Sequence, residues 1–200
     1  GATRGEGAMT SIKDAIKAFE AKNTLVASEA EKVTLYGQLP PIVKMDNTLG
    51  TLKACKHLAL SSNCIEKITG LKGLDNLEVL SLGRNQIKKL EGLDDVANTL
   101  RELWISYNLL DKLNGLEKLS NLVVVYMSNN LIAKWPEFDR FKDLAKLEEL
   151  LFVGNPLWET HTKAEDFRLN VAGRIPWLKK LDGVPVDDDE KERGKALVGQ

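Results

Sequence analysis

Cysteine and histidine are scarce in this chain, with two of each in 200 residues. Two cysteines, Cys55 and Cys64, cannot make a disulfide framework, and the pair fits a reducing cytoplasm. His57 and His161 have no cysteine or aspartate set beside them in sequence. Neither a zinc site nor a catalytic triad is indicated. No G-x-x-x-x-G-K-[ST] phosphate loop occurs, and the glycines of ITGLKGLD fail the G-x-G-x-x-G spacing. The acids Asp94 and Asp95 sit in a surface turn and offer no enclosed site. No catalytic residue, cofactor or metal is therefore expected. An excess of one charge is also missing: 28 basic and 29 acidic residues leave a net charge of −1. No overall field attracts nucleic acid or an anionic membrane. No apolar run approaches the roughly 20 residues of a membrane span. No basic start precedes an apolar stretch, which argues against a secretory leader. Residues 1–9 read as a flexible or non-native leader outside the fold.

What the chain does have is a ruler. Asn63, Asn85, Asn108, Asn130 and Asn155 stand at gaps of 22, 23, 22 and 25 residues. Each closes a similar phrase: CKHLALSSNCI, LEVLSLGRNQI, LRELWISYNLL, LVVVYMSNNLI and LEELLFVGNPL. This is the leucine-rich-repeat pattern L-x-x-L-x-L-x-x-N-x-L, and it predicts an α/β solenoid with a parallel sheet on one face. Leu58/Leu60, Leu80/Leu82, Leu103/Ile105, Val125/Met127 and Leu150/Phe152 lie two apart, so each pair points to one side of a strand. That side is the core. Cys55 replaces the opening leucine of its phrase and is expected to be buried. The asparagine amide is both donor and acceptor, and is expected to satisfy backbone groups of its own and the next coil. AEKVTLYGQLPPI is a degraded first coil, with Val33 and Leu35 as its core pair and Gln38 in place of the asparagine. Six coils are expected over residues 30–158.

The return segments ITGLKGLDNL, LEGLDDVANTL and LNGLEKLSNL share leucines three apart, a spacing that suits tight 3₁₀ turns on the convex side. The fourth, WPEFDRFKDLAKL, is longer, and Pro136 suits a helix start. Solenoids need capped ends. Over residues 10–29 the spacing of Ile12, Ala15, Ile16 and Phe19, after Ser11, predicts an amphipathic helix from about Thr10 to Lys22. Over residues 159–184, Ala164, Phe167, Val171 and Ile175 predict a second cap. Pro176 ends it, and Trp177, Leu178 and Leu181 close the core. Residues 185–200 form a charged helical tail, acidic first and basic after. With few apolar residues to hold it, this tail is expected to be mobile.

Counting back from each asparagine assigns the outward residues. The fifth position of successive phrases reads Thr34, Ala59, Ser81, Trp104, Tyr126 and Leu151. The third reads Lys32, His57, Val79, Glu102, Val124 and Glu149, and the seventh Tyr36, Ser61, Gly83, Ser106, Ser128 and Val153. Coils one to three are mostly small or polar at these places. Coils four to six show Trp104, Tyr126, Val124, Leu151 and Val153. Strands lie about 4.8 Å apart, so Trp104, Tyr126 and Leu151 adjoin across three rungs. An exposed apolar group of that size marks a partner surface, and tryptophan and tyrosine are favoured at such surfaces. Val79, Glu102, Trp104, Val124, Tyr126, Glu149, Leu151 and Val153 are the candidate contacts, with the two glutamates as a polar rim. Lys191, Arg193 and Lys195 of the tail are candidates for a second contact.

The repeat phrase with its I-x-G-L return resembles the short leucine-rich repeats of phosphatase regulators over residues 30–160. SIKDAIKAFE, EAEKVTLYGQLPPIVKMDNTLGTLKACKHLALSSNCIEKI, LRELWISYNLLDKLNGLEKLSNLVVVYMSNN and IPWLKKLDGVPVD carry a closer likeness. Together they resemble the leucine-rich-repeat light chains of axonemal outer-arm dynein, from Thr10 to about Asp189. That resemblance implies a non-catalytic subunit in the axoneme of a cilium or flagellum. It implies binding to a dynein heavy chain near its microtubule-binding region, with tubulin contact as part of the role. A phosphatase-targeting repeat protein is the alternative, and a ribonucleoprotein adaptor a third.

Overall fold

The computed structural model describes residues 7–199; the first six residues of the expected leader lie outside them. A single eight-stranded sheet runs the length of the molecule in sequence order. Its strands are β1 (Lys32–Thr34), β2 (His57–Ala59), β3 (Val79–Ser81), β4 (Glu102–Trp104), β5 (Val124–Tyr126), β6 (Glu149–Leu151), β7 (Lys180–Leu181) and β8 (Val184–Pro185). Neighbours from β1 to β7 are parallel, and β8 returns antiparallel on β7. The register follows the asparagine ruler: His57 aligns with Val79, Val79 with Glu102, Glu102 with Val124 and Val124 with Glu149. The six coils are therefore as read, and β7 and β8 extend the sheet into the region taken as cap.

Every core pair named from the sequence is wholly buried. The period of two leaves no freedom here, since a slip of one residue would turn the leucines into water. Cys55 is also fully buried, and loss of hydration pushes its thiol up to about 11, so it stays protonated packing material. The returns tighten into 3₁₀ turns at Asn47–Thr51, Asp94–Val96, Leu116–Lys118 and Asp139–Asp143, whereas ITGLKGLDNL, expected to do the same, makes only isolated turns. The fourth return also starts a short helix, α2 (Trp135–Phe138), with Pro136 in its first turn.

The asparagine ladder works in the opposite direction from the expected one: each amide serves its own coil and the preceding one. Asn155 accepts from the Ile132 N–H (3.1 Å) and donates to the carbonyls of Met127 (2.9 Å) and Phe152 (2.8 Å). Asn63, Asn85, Asn108 and Asn130 repeat this set. The reason lies in the strand exits. Backbone N–H groups there already reach forward, as Leu35 does to Ala59 and Leu60 to Ser81. What is left over is a carbonyl and an N–H facing the following coil, and only that coil's side chain can reach them. The first coil has no predecessor, so Gln38 suffices there, and its amide bonds locally to the Tyr36 carbonyl.

Helix α1 (Ile12–Asn23) caps the start, as expected. Ser11 accepts from the Asp14 N–H, and Ile12, Ala15, Ile16 and Phe19 are buried. The other end is built more heavily. The α2 return and the cap contribute an aromatic cluster in which Phe167 stacks on Phe152 (5.7 Å) and on Trp135 (5.8 Å), with Phe138 and Phe141 beside them. Phe167 lies on α4 (Ala164–Arg174), preceded by the single turn α3 (Pro156–Glu159). Two cap residues depart from expectation. Ala164 is exposed at the helix start. Trp177 is 37% exposed rather than sealed inside, because its indole turns to donate to the Leu144 carbonyl (3.0 Å).

The tail also departs from expectation. Helix α5 (Asp188–Val198) begins with a capping box between Asp187 and Glu190 and packs along α4. Few apolar side chains are needed, because the two backbones meet at glycines. A Cβ on Gly173 would collide with the Gly194 carbonyl oxygen. Arg168 locks the crossing: it bonds Glu190 through two nitrogens (2.7 and 3.0 Å) and reaches the carbonyls of Leu181 and Pro185. No described helix is long and apolar enough to cross a membrane.

Candidate partner-binding face

The third, fifth and seventh positions of β1–β6 stand on one open side of the sheet. Ser81, Trp104, Tyr126 and Leu151 align in sequence across four strands. Trp104, Val124, Tyr126, Leu151 and Val153 are each half-buried, so they form a continuous surface rather than separate knobs. The indole of Trp104 stacks on the ring of Tyr126 at 5.8 Å. On its other side it meets His57 edge-on at 5.1 Å, although His57 stands two strands away. The indole thus leans back across β3. The small side chains Ala59 and Ser81 make room for it, and both are nearly buried despite their outward positions. Its Nε1 donates to Glu102 Oε2 at 2.9 Å, which fixes the ring plane.

His57, placed on the sheet surface by its third-row position, is the end of this aromatic row. The available signal was the pair of small residues between it and Trp104. Burial, and then the charge of Lys32, holds its imidazole below the ordinary histidine value, and its Nε2 is buried without a partner among the described residues. Tyr126 is shifted the other way. Burial raises its phenol first, and the carboxylates of Glu149 and Glu102 raise it further. Glu102 and Glu149 alternate with Val79 and Val124 along the third row, beside the aromatic one. Val79 is half-buried beside His57 in the third row. Ser106 and Ser128 bond each other through their hydroxyls (2.9 Å) and give the face a polar margin toward the strand exits.

The tail residues proposed as a second contact are not equivalent. Arg193 is engaged within the chain, to Glu165 (2.6 Å) and Asp189 (3.4 Å). Lys191 and Lys195 make no salt bridge among the described residues. Grooves elsewhere do not assemble a reactive set. One of about 400 Å³ follows the leading edge of the strands, lined by Lys56, Glu78, Arg101, Asn121 and Lys146. Another, of about 540 Å³, lies among the returns near Lys88, Glu91 and Asp111.

Known proteins share the repeats. A family model for leucine-rich repeats (two copies) matches residues 53–95 and 98–140. Dynein axonemal light chain 1 of Chlamydomonas reinhardtii is 62% identical over 193 residues, covering 95% of this chain and 98% of that one. This chain belongs to the axonemal dynein light chain 1 family. The Homo sapiens member is 56% identical over 183 residues, covering 92% of this chain and 96% of its own length. Members of the family are components of the axoneme, the cytoskeletal core of cilia and flagella. Among solved structures, a leucine-rich-repeat protein of Leptospira interrogans matches with a TM-score of 0.60 over 76% of this chain and 37% of that one, at 22% identity. The SNF/U2A′ complex of Drosophila melanogaster contributes a match at 0.52 over 80% of this chain and 78% of that one, at 20% identity. These two likenesses show the fold alone.

Proposed function

We propose that this chain is a non-catalytic light chain that binds an outer-arm dynein heavy chain near its microtubule-binding region and regulates ciliary or flagellar motility. The relatives named as axonemal dynein light chains support the class of partner. The observation that carries the choice of surface is the unbroken His57–Trp104–Tyr126–Leu151 row on an otherwise open sheet face. Flat half-buried aromatics gain most when a partner excludes the remaining water. Nothing within the described chain covers them. The relatives' names also favour this reading over a phosphatase regulator. Lys191 and Lys195, free of the ion pairs that hold Arg193, are the tail positions suited to an acidic surface such as tubulin.

The test is direct binding to a heavy-chain fragment containing the microtubule-binding region. Trp104→Ala/Tyr126→Ala is expected to weaken it by at least about 30-fold, the equivalent of one hot spot of about 2 kcal/mol. Both residues lie outside the core, so the variant stays folded by circular dichroism. Undiminished binding by the folded variant would sink the assignment of this face.

A further inference from the structure

The partner segment that lies on this face must bring positive charge of its own, in a set pattern. Across β2–β6 the outward positions include two carboxylates, Glu102 and Glu149, and no lysine or arginine. Cations stand only at the ends, Lys32 on β1 and Lys180 on β7. Glu102 has no cation near it, since Lys32 is three strands away, and Glu149 has only a loose 3.9 Å pairing with the half-exposed Lys180, with the Tyr126 hydroxyl beside it. The Trp104 indole holds one oxygen of Glu102, leaving the other without a donor among the described residues. While the face is open, water serves these oxygens. A docked partner removes that water, and a carboxylate buried without a counter-charge is strongly unfavourable.

Spacing selects the partner's backbone. Glu102 and Glu149 lie on β4 and β6 with Val124 between them, about 9.6 Å apart at two strand spacings. On an α-helix, residues seven apart share a face and are separated by about 10.5 Å. An extended segment repeats on one face at about 6.7 or 13 Å and misses both carboxylates together. Resting on the heavy-chain reading above, we infer that the occupant is an amphipathic helix lying across the strands. It carries basic residues at i and i+7 over Glu102 and Glu149, and apolar residues between them over Trp104, Tyr126 and Leu151. Glu102 and Glu149 thereby set specificity, and the aromatic row supplies contact area.

The experiment compares binding of the same heavy-chain fragment to the intact chain and its variants over a range of salt. Glu102→Gln/Glu149→Gln keeps shape and removes charge. It is expected to bind at least tenfold more weakly at low salt, with a flatter salt dependence. Glu102→Lys/Glu149→Lys is expected to abolish binding. Changing two basic residues seven apart in the fragment to glutamate is expected to restore it. If the glutamine variant binds as tightly as the intact chain, with the same salt dependence, while Trp104→Ala/Tyr126→Ala fails to bind, the charge pattern is overturned and the face assignment stands. If the aromatic variant binds normally, the face assignment falls, and the charge pattern with it.

Discussion

The two halves of the sheet share one scaffold and differ in what they display. Coils one to three and four to six bury their core pairs alike, and coils two to six share one amide ladder. Yet the fifth row changes from Thr34, Ala59 and Ser81 to Trp104, Tyr126 and Leu151. Repetition therefore accounts for stability, and the departure from it marks the face proposed for binding. Even the plain half takes part, because its small residues let Trp104 lean over them to His57. The decorated half is also backed by the heavier cap, with its aromatic cluster and paired helices.

The most damaging change should ignore the difference between the halves. Asn155→Ala leaves the Ile132 N–H and the Met127 and Phe152 carbonyls without their partner. A loss of about 3 kcal/mol or more is expected, seen as a Tm lower by roughly 6–12 °C. Asn85→Ala, on the plain side, has the same set of bonds and should cost about as much. A mild effect at either position would show that the ladder is not uniform.

Next in size are changes that should separate the halves. Trp104→Ala/Tyr126→Ala costs about 2 kcal/mol or more of heavy-chain binding, whereas Lys32→Ala/Thr34→Ala on β1 should alter it by less than about twofold. Equal losses from both pairs would erase the distinction.

Much of this was legible from sequence because a strand repeats every two residues and the asparagines fix where to start counting. The eight candidate face residues fall where that count puts them. Other features carried no such signal. The β7–β8 hairpin is two residues per strand and has only the opening L-x-x-L of the phrase, Leu178 and Leu181, with no asparagine after it. The docking of α5 rests on Gly173 and Gly194, whose contribution is the absence of a side chain. The reach of Trp104 to His57 depends on a rotamer, and the backward direction of the ladder on which backbone groups the strand exits leave unpaired.

The cap supplies smaller tests. Gly173→Ala forces α5 away from α4 and should cost roughly 1–3 kcal/mol locally. Hydrogen exchange is expected to quicken over 188–198 and stay unchanged in the sheet. Smallest is a pH effect. Hydrogen bonding to Arg168 holds the Glu190 carboxyl below its ordinary value. The stabilisation is therefore complete above the usual glutamate value of about 4.3 and is lost as pH falls through the depressed one. Exchange at α5 should rise with acid in that range, and Arg168→Ala should weaken the dependence, leaving the smaller part due to the Asp187 backbone and Arg193.

The central claim, that the partner sits on the decorated half, is tested most directly by chemical-shift mapping of the labelled chain with the heavy-chain fragment. The Trp104 indole N–H provides a single resolved probe beside Glu102. The account predicts that this signal, Tyr126 and Leu151 shift together on addition of the fragment, while Thr34 stays in place. Shifts confined to the return segments or to coils one to three, with the Trp104 signal unmoved, would contradict it.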